Sequence, residues 1–469
     1  MEIVSDIWVR LANSSSLFEA EELVLREMMQ VARLLMGRYL EALDEQLLVE
    51  KKSTWKMVNR QARTVNFAFG PVTFKRRYYC DSRGRGHFAL DERLKLVRRK
   101  RVSPGLRMMM AKVCQVTTMR NTADVINLLL GSGVSVNAVM TAVHELGEAV
   151  TAQSQANEQK PAERRVPKNL VIEGDATMIK IKRKGKQPAY WHSAHHYRIY
   201  EKRVVGKGKE QSVYHLNQRD FISFAHESLK ERVREYLTTH YDLAGQTVFM
   251  ASDGGPGYEP ESFFGLLPNR QTKGEFFIDR YHSLKKIQDC FGVNDPMTPA
   301  IEQALRNYDY DGLMTRIDTG TSRLTTAAQY EAADRLKAYF KRNWAYCATP
   351  AQRGYVGLGL FGSIESSHRS FTYRMKRQGK SWTINGAKAM LGLVEARKNG
   401  ELIQNLRTCL KQETRLPKVP LTALQRRRIS VPQYLKHTTK PSCGVLTGGF
   451  ALDAATSSPI GHLVKSLSH

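Results

Sequence analysis

Three carboxylates stand where chemistry on a polyanion would need them. Asp175 interrupts the apolar run NLVIEGDATMIKIK, Asp253 ends QTVFMASDGGPGY just ahead of a Gly-Gly-Pro turn, and Glu365 opens GSIESSHRSFTYRMK. Singly, each has a plain structural reading: a strand-end aspartate held by a turn, an aspartate favoured before glycine, and a first-turn glutamate complementing a helix dipole. Their joint placement points elsewhere. Acids gathered in a partly buried site repel one another unless cations neutralise them. Two divalent ions roughly 3.5 to 4 Å apart would do so, and would also activate a nucleophile and steady the leaving oxygen of an in-line phosphoryl transfer. Mg²⁺ or Mn²⁺ is the expected cofactor. His282, three residues after Asp279 in FFIDRYHSLKKI, reads either as a local hydrogen-bond partner of that aspartate or as a contact to substrate phosphate.

The acids can meet only if the surrounding elements bring them together. From residue 169 the pattern gives three strands in succession, then helix, strand, helix and strand: NLVIEGDATMIKIK, YWHSAHHYRIYEKRVV, SVYHL, HESLKERVREYLTTHY, QTVFMASDGGPGY and GEFFIDRYHSLKKI. That order is the order of a ribonuclease-H-like α/β domain, in which the first and fourth strands are central neighbours and a late helix crosses them. The late helix is expected to open near Glu365 and reach about Lys398, after an inserted helical segment at about 291–350. Gly357, Gly359 and Gly362 match Gly-x-Gly-x-x-Gly, but they follow a helical stretch and a loop rather than a first strand, so chance glycines are the expectation.

Ahead of this catalytic domain, expected over 161–400, lies a mostly helical region. Residues 17–48 place Val24, Met28, Val31, Leu35, Tyr39 and Ala42 on one stripe at helical spacing, either for packing on the chain or for dimerisation. This amphipathic helix occupies a first segment, 1–50. Segment 51–160 begins with a hairpin around Gly70-Pro71, whose strand end Arg76-Arg77-Tyr78-Tyr79 could grip phosphate or simply be solvated. It continues as helix, Gly131-Ser132-Gly133 turn, and a second helix opened by Ser135. If this is a helix-turn-helix, Asn137, Thr141 and His144 would face base edges; the other reading is a plain helical hairpin. Polar, proline-interrupted residues 152–168 suit a boundary, and 401–469 forms a basic extension with Arg426 to Arg428 and a tail expected to be loosely ordered from about 437.

Composition narrows the partner. A formal charge of +27 over 469 residues exceeds what solubility requires and points to a polyanion, with nucleic acid foremost. No run of 18 apolar residues exists and the first 16 residues lack a signal pattern, so a cytoplasmic protein without membrane association is expected. Six scattered cysteines, at 80, 114, 290, 347, 409 and 443, form no Cys-x-x-Cys pair and read as reduced thiols.

The segments IEGDAT, ASDGGPGYEPESFFGLLPNR, FFIDRYHSLKKI, GSIESSHRSFTYRMK and SWTINGAKAMLGLVEARKNG, in this order, resemble the DDE transposases of bacterial insertion sequences, specifically the ISLre-type group formerly catalogued as an uncharacterised protein family. The likeness covers most of residues 17–400. It implies that Asp175, Asp253 and Glu365 form the acidic triad with Mg²⁺, and that an inserted helical domain precedes the glutamate. The implied activity is cleavage at insertion-element ends by water and joining of the freed 3′-hydroxyl to target DNA, by a nucleoid-associated homo-oligomer of at least two chains. Lys180, Lys182, Arg183, Lys184, Arg369, Arg374, Lys376 and Arg377 would flank the site and hold the phosphate backbone. The strand carries EGDAT where a more acidic run belongs, which leaves Glu173 as a substitute for Asp175. Two other classes remain open: a non-catalytic DNA-binding protein derived from a transposase, and a ribonuclease-H-like nuclease.

Overall fold

The computed structural model describes residues 2–47, 54–96, 100–183, 185, 187–206, 212–377, 380–413, 416 and 419. Lys184, the cluster Arg426 to Arg428 and the tail after 437 lie outside the described residues, as does the side chain of Arg369. The chain divides into two units, residues 1–146 with 404–469, and residues 147–403.

The first unit contains helices α1 (Glu2–Ala12) and α2 (Leu17–Gln46), strands β1 (Lys56–Phe67), β2 (Gly70–Cys80) and β3 (Gly86–His87), then α3 (Ala89–Arg93), α4 (Pro104–Val113) and α5 (Met119–Leu130). Helix α6 (Val136–Glu158) runs past the division. Strands β1 and β2 form the expected hairpin, closing at Phe67 opposite Gly70, whose φ of 106° suits glycine. Leu40 and Leu43 of α2 pack on Val65, Val72 and Phe74 of the hairpin. Of the expected stripe only its end, Tyr39 and Ala42, packs here. Val24, Met28 and Leu35 are exposed, and the buried positions are Leu23, Glu27, Gly37, Leu40, Ala42, Leu43 and Asp44. Arg76 and Arg77 are buried too, held by Asp91 at 2.9 Å and Asp44 at 2.6 Å, so the hairpin's basic run is internal ion pairing rather than a phosphate grip.

Between α5 and α6 the turn is built as its residues dictate. Gly131 caps α5 with φ 58°, the Asn127 side chain bridges to both backbone groups of Val134, and Ser135 Oγ accepts from the Ala138 amide. Asn137 and Thr141 are exposed and His144 half-buried. Helix α6 continues through Glu158, so the expected linker at 152–168 is helical in its first part; the polar residues form a solvated helix face.

The second unit is built on a five-stranded sheet of β4 (Leu170–Ile181), β5 (Tyr190–Val205), β6 (Ser212–Ser223), β7 (Thr247–Ser252) and β8 (Lys273–Ile278), in the spatial order β6-β5-β4-β7-β8. Strand β5 is antiparallel to both its neighbours, β4 and β6, whereas β7 and β8 run parallel to β4. The near-continuous apolar runs of β4 and β7 follow from burial on both faces. Helices α7 (His226–His240), α8 (Pro260–Phe264), α9 (Arg280–Phe291), α10 (Thr298–Asn307), α11 (Tyr310–Thr321), α12 (Ala327–Asn343), α13 (Ser363–Met375), α14 (Ile384–Lys398) and α15 (Leu402–Glu413) complete the chain.

Alternation along the strands sorts their side chains into two cores. Leu170, Ile172, Val248, Met250 and Phe276 face α7, α9 and the inserted helices α10 to α12, which bury Ile301, Leu313, Leu336 and Phe340 there. Val171, Phe249 and Phe277 face the opposite side, where Leu358 covers them. Gly357, Gly359 and Gly362 all have positive φ, so these glycines are required by the backbone of the strap that carries Leu358 and are not incidental. The late helix is two helices, α13 and α14, because the chain breaks after Met375 and restarts at the Thr383 cap.

Candidate active site

Asp253 and Asp279 directly follow the carboxyl ends of β7 and β8, the edge at which open α/β sheets carry their ligands, and Asp175 lies in mid-β4 level with those ends. Glu173 pairs with Ala251, and Ser252 with Ile278. Carrying those registers forward sets Asp175 beside Asp253 and Asp253 beside Asp279. The Asp279 amide, donating 2.7 Å to the Ser252 carbonyl, continues the alignment past the last strand pair. By the same alternation, Val171, Glu173 and Asp175 share the face covered by α13.

Glu173 fixes that helix. Its side chain is 1% exposed. Oε1 accepts from the amides of Gly362 (2.9 Å) and Ser363 (3.2 Å) and from the Tyr200 hydroxyl (2.8 Å). Oε2 accepts from the Ser363 hydroxyl (2.9 Å) and the Ile364 amide (2.6 Å). A carboxylate borrowed from β4 thus does the capping that Gly362 cannot do for α13. Glu173 is fully occupied in holding the helix and is not a substitute for Asp175.

With α13 so placed, Glu365 comes to the sheet edge, where its side chain is 45% exposed. Donor atoms of Asp175, His282 and Glu365 all lie within 4.8 Å of one another. Asp253 is outside that trio but lines a small cleft with two of its members, Asp175 and His282, and with Glu173 and Asp279. Asp253 Oδ1 accepts from the Gly255 amide at 2.9 Å, and its carbonyl accepts from Tyr339 of the inserted helices.

Two histidines tie the acids together. Asp279 caps α9 through the Tyr281 amide and holds His282 Nδ1 at 2.9 Å, leaving Nε2 3.9 Å from Glu365 Oε2. Burial disfavours the His282 cation, yet the bond to Asp279 and the nearby charges of Asp279, Asp175 and Asp253 outweigh it and raise its pKa. His368, one turn after Glu365, holds Asp175 Oδ2 at 3.1 Å, and the Ala176 amide donates to Oδ1 at 2.6 Å. Burial pushes the Asp175 carboxyl up, but His368 and the charge on His282 together bring it below the usual value. His368 stacks on His196, across from Asp175 in β5, and His196 is bonded to Asp220 at 2.6 Å. The sequence reading did not single out His368, although Glu365 and His368 stand three apart on one helix face.

The basic residues separate into two sets. Lys180, Lys182, Arg183, Lys376 and Arg377 are exposed. Lys376 Nζ reaches Thr177 at 2.9 Å and the Arg183 guanidinium lies over Tyr190. Arg374 does not belong with them. It is 2% exposed and stacked on Trp382, because α13 turns that side inward against the bridge between Ile181 and Trp382. The histidines of β5 serve structure: His195 bonds Tyr258, and His192 stacks on Phe224. The five described cysteines form no disulfide, and no described helix is long and apolar enough to cross a membrane.

A model for an uncharacterised protein family, UPF0236, matches residues 10–412. A Streptococcus gallolyticus protein described as "UPF0236 protein in vanSb 3'region" is 30% identical over 468 residues, covering 99% of this chain and 100% of that one. Among solved structures, a chain of the Drosophila P element transposase strand transfer complex aligns over 76% of this chain and 91% of its own at 8% identity, with a TM-score of 0.25, too low to establish a shared fold. On the strength of the family match and of the streptococcal relative, this chain belongs to the UPF0236 family.

Proposed function

We propose that this chain is a DDE transposase of the ISLre-type group, with a ribonuclease-H-like catalytic domain in its second unit. The observation that carries the reading is the meeting of Asp175, His282 and Glu365, drawn from a central strand and two helices, with Asp253 lining a cleft beside Asp175 and His282. Support for the domain comes from the β6-β5-β4-β7-β8 order, in which β5 alone runs against the direction of the other four strands.

The donor chemistry fits Mg²⁺ or Mn²⁺: hard carboxylate oxygens predominate, and His282 has Asp279 behind its Nδ1 as metal-facing histidines do. Asp175, Asp253 and Glu365 would hold the ions, with His282 adjoining them. When bound, such ions lower the pKa of an attacking water and offset charge on the phosphodiester. The protein's own part is positional. Glu173 holds the helix bearing Glu365, His368 orients the Asp175 carboxylate, and Asp279 orients His282. The exposed bases Lys180, Lys182, Arg183, Lys376 and Arg377 would neutralise backbone phosphates on either side. In the first unit, Asn137, Thr141 and His144 would read element ends.

The test is a cleavage and strand-transfer reaction on DNA carrying the element's own ends, with Mg²⁺ or Mn²⁺, comparing wild type with Asp253→Asn. Wild type should cut and join, and the variant should bind the ends while doing neither. Cutting without joining would make the protein a nuclease. Binding without either would make it a DNA-binding derivative, and unchanged activity in the variant would remove Asp253 from the site.

A further inference from the structure

The apolar stripe of α2 that the hairpin leaves uncovered among the described residues has the spacing of a helix-pairing seam. Leu17, Val24, Met28, Val31 and Leu35 follow one another at intervals of seven, four, three and four residues, a 3.5-residue repeat. Leu17 is 78% exposed and Leu35 57%, with Phe18 at 67% and Leu25 at 60% alongside. So much contiguous apolar surface on a helix of 30 residues, about 45 Å long, marks an interaction face.

Charge in the same seam selects the occupant. Glu21 fills the gap in the repeat between Leu17 and Val24, and Arg38 takes the position after Leu35. A second α2 running parallel would stack Glu21 on Glu21 and Arg38 on Arg38, like on like. An antiparallel copy, with its two-fold axis between Met28 and Val31, sets Glu21 opposite Arg38, Val24 opposite Leu35 and Met28 opposite Val31. From Glu21 to Arg38, which also pairs with Glu41 of its own helix at 3.4 Å, each seam position then meets a complementary one, as a self-complementary two-fold contact requires; Leu17 lies beyond this overlap, opposite the buried Ala42. We infer that α2 is the seam of an antiparallel homodimer of this chain. The opposite face of α2, with Leu40 and Leu43, stays on the hairpin. The dimer does not depend on the role of the acids in the second unit, so either idea can fail without the other.

The test uses the full chain. Wild type should sediment at twice 53.3 kDa, and Met28→Glu combined with Leu35→Glu at the single-chain mass with an unchanged far-UV spectrum. Under mild oxidation Val24→Cys combined with Leu35→Cys should cross-link two chains. Val24→Cys alone should not, because its two copies lie on opposite sides of the two-fold axis, about 16 Å apart along the seam. The cysteine variants also report if the double glutamate variant does not fold. A wild type that sediments as one chain overturns the inference. So does an oligomer indifferent to the double glutamate substitution, or a cross-link as ready in Val24→Cys alone as in the pair.

Discussion

The Ile364 amide donates a 2.6 Å hydrogen bond to Glu173 Oε2, joining residues 191 positions apart. A strand carboxylate is therefore the N-cap of the helix that bears Glu365. Glu173→Ala leaves four polar groups of the helix start, three amides and the Ser363 hydroxyl, and the Tyr200 hydroxyl without this partner, and is expected to cost about 3–5 kcal/mol. Urea unfolding measures it, and an unmoved midpoint would mean the cap contributes nothing. Where the variant still folds, strand transfer should fall with DNA binding retained, since Glu365 loses its fixed position.

His368 touches Asp175 from behind, as outer partners of metal-holding carboxylates do. His368→Ala should raise the Mn²⁺ concentration needed for half-maximal cleavage by about 10–100-fold. Saturating Mn²⁺ should restore much of the rate. A lowered rate with an unchanged Mn²⁺ requirement would assign His368 to folding alone.

Acid should weaken the second unit through its buried histidines. Burial pushes His196 down to about 4, despite the raising effect of Asp220, and its Nδ1 meets no partner among the described residues, as suits a neutral ring. His195 is likewise pushed down to about 4, by burial and then by His226 and His192. In the unfolded chain both titrate near 6.5, so between pH 6.5 and about 4 the unfolded state binds more protons and stability falls as pH falls. The loss at the lower end is on the order of 1–3 kcal/mol for the fully buried His196. His196→Gln keeps a donor for Asp220 and should flatten that part of the stability curve; an equally steep variant would place the proton uptake elsewhere.

Exposed and buried bases should behave differently on DNA. Lys182→Ala and Arg377→Ala, measured across a salt series, are each expected to reduce the slope of log affinity against log salt by about 0.9 for each phosphate that is no longer neutralised. Arg374→Ala should leave that slope alone and lower the unfolding midpoint instead, because its guanidinium packs on Trp382. A salt slope that falls for Arg374→Ala would show that the side chain reaches DNA.

Much of the site was legible because its signals are local. Runs such as TVFMAS mark buried strands wherever they occur, turn residues follow them, and Asp175 can be placed within a strand and Asp253 and Glu365 at element ends from those alone. The turn before α6 was legible for the same reason: Gly131 and Ser135 act on their own neighbours. What the chain order could not supply was the identity of partners from distant segments. Glu173 reads as one more acid near Asp175 until strand pairing brings Ser363 and Ile364 onto it. Arg374 reads as a surface base until α13 rotates it onto Trp382, and His368 becomes a partner of Asp175 only when the helix crosses β4. Helix α2 shows the same division: periodicity determined that it is amphipathic, but both its flanks carry apolar side chains. Only the hairpin, by packing Leu40 and Leu43, decided which flank is core and which stays outside it.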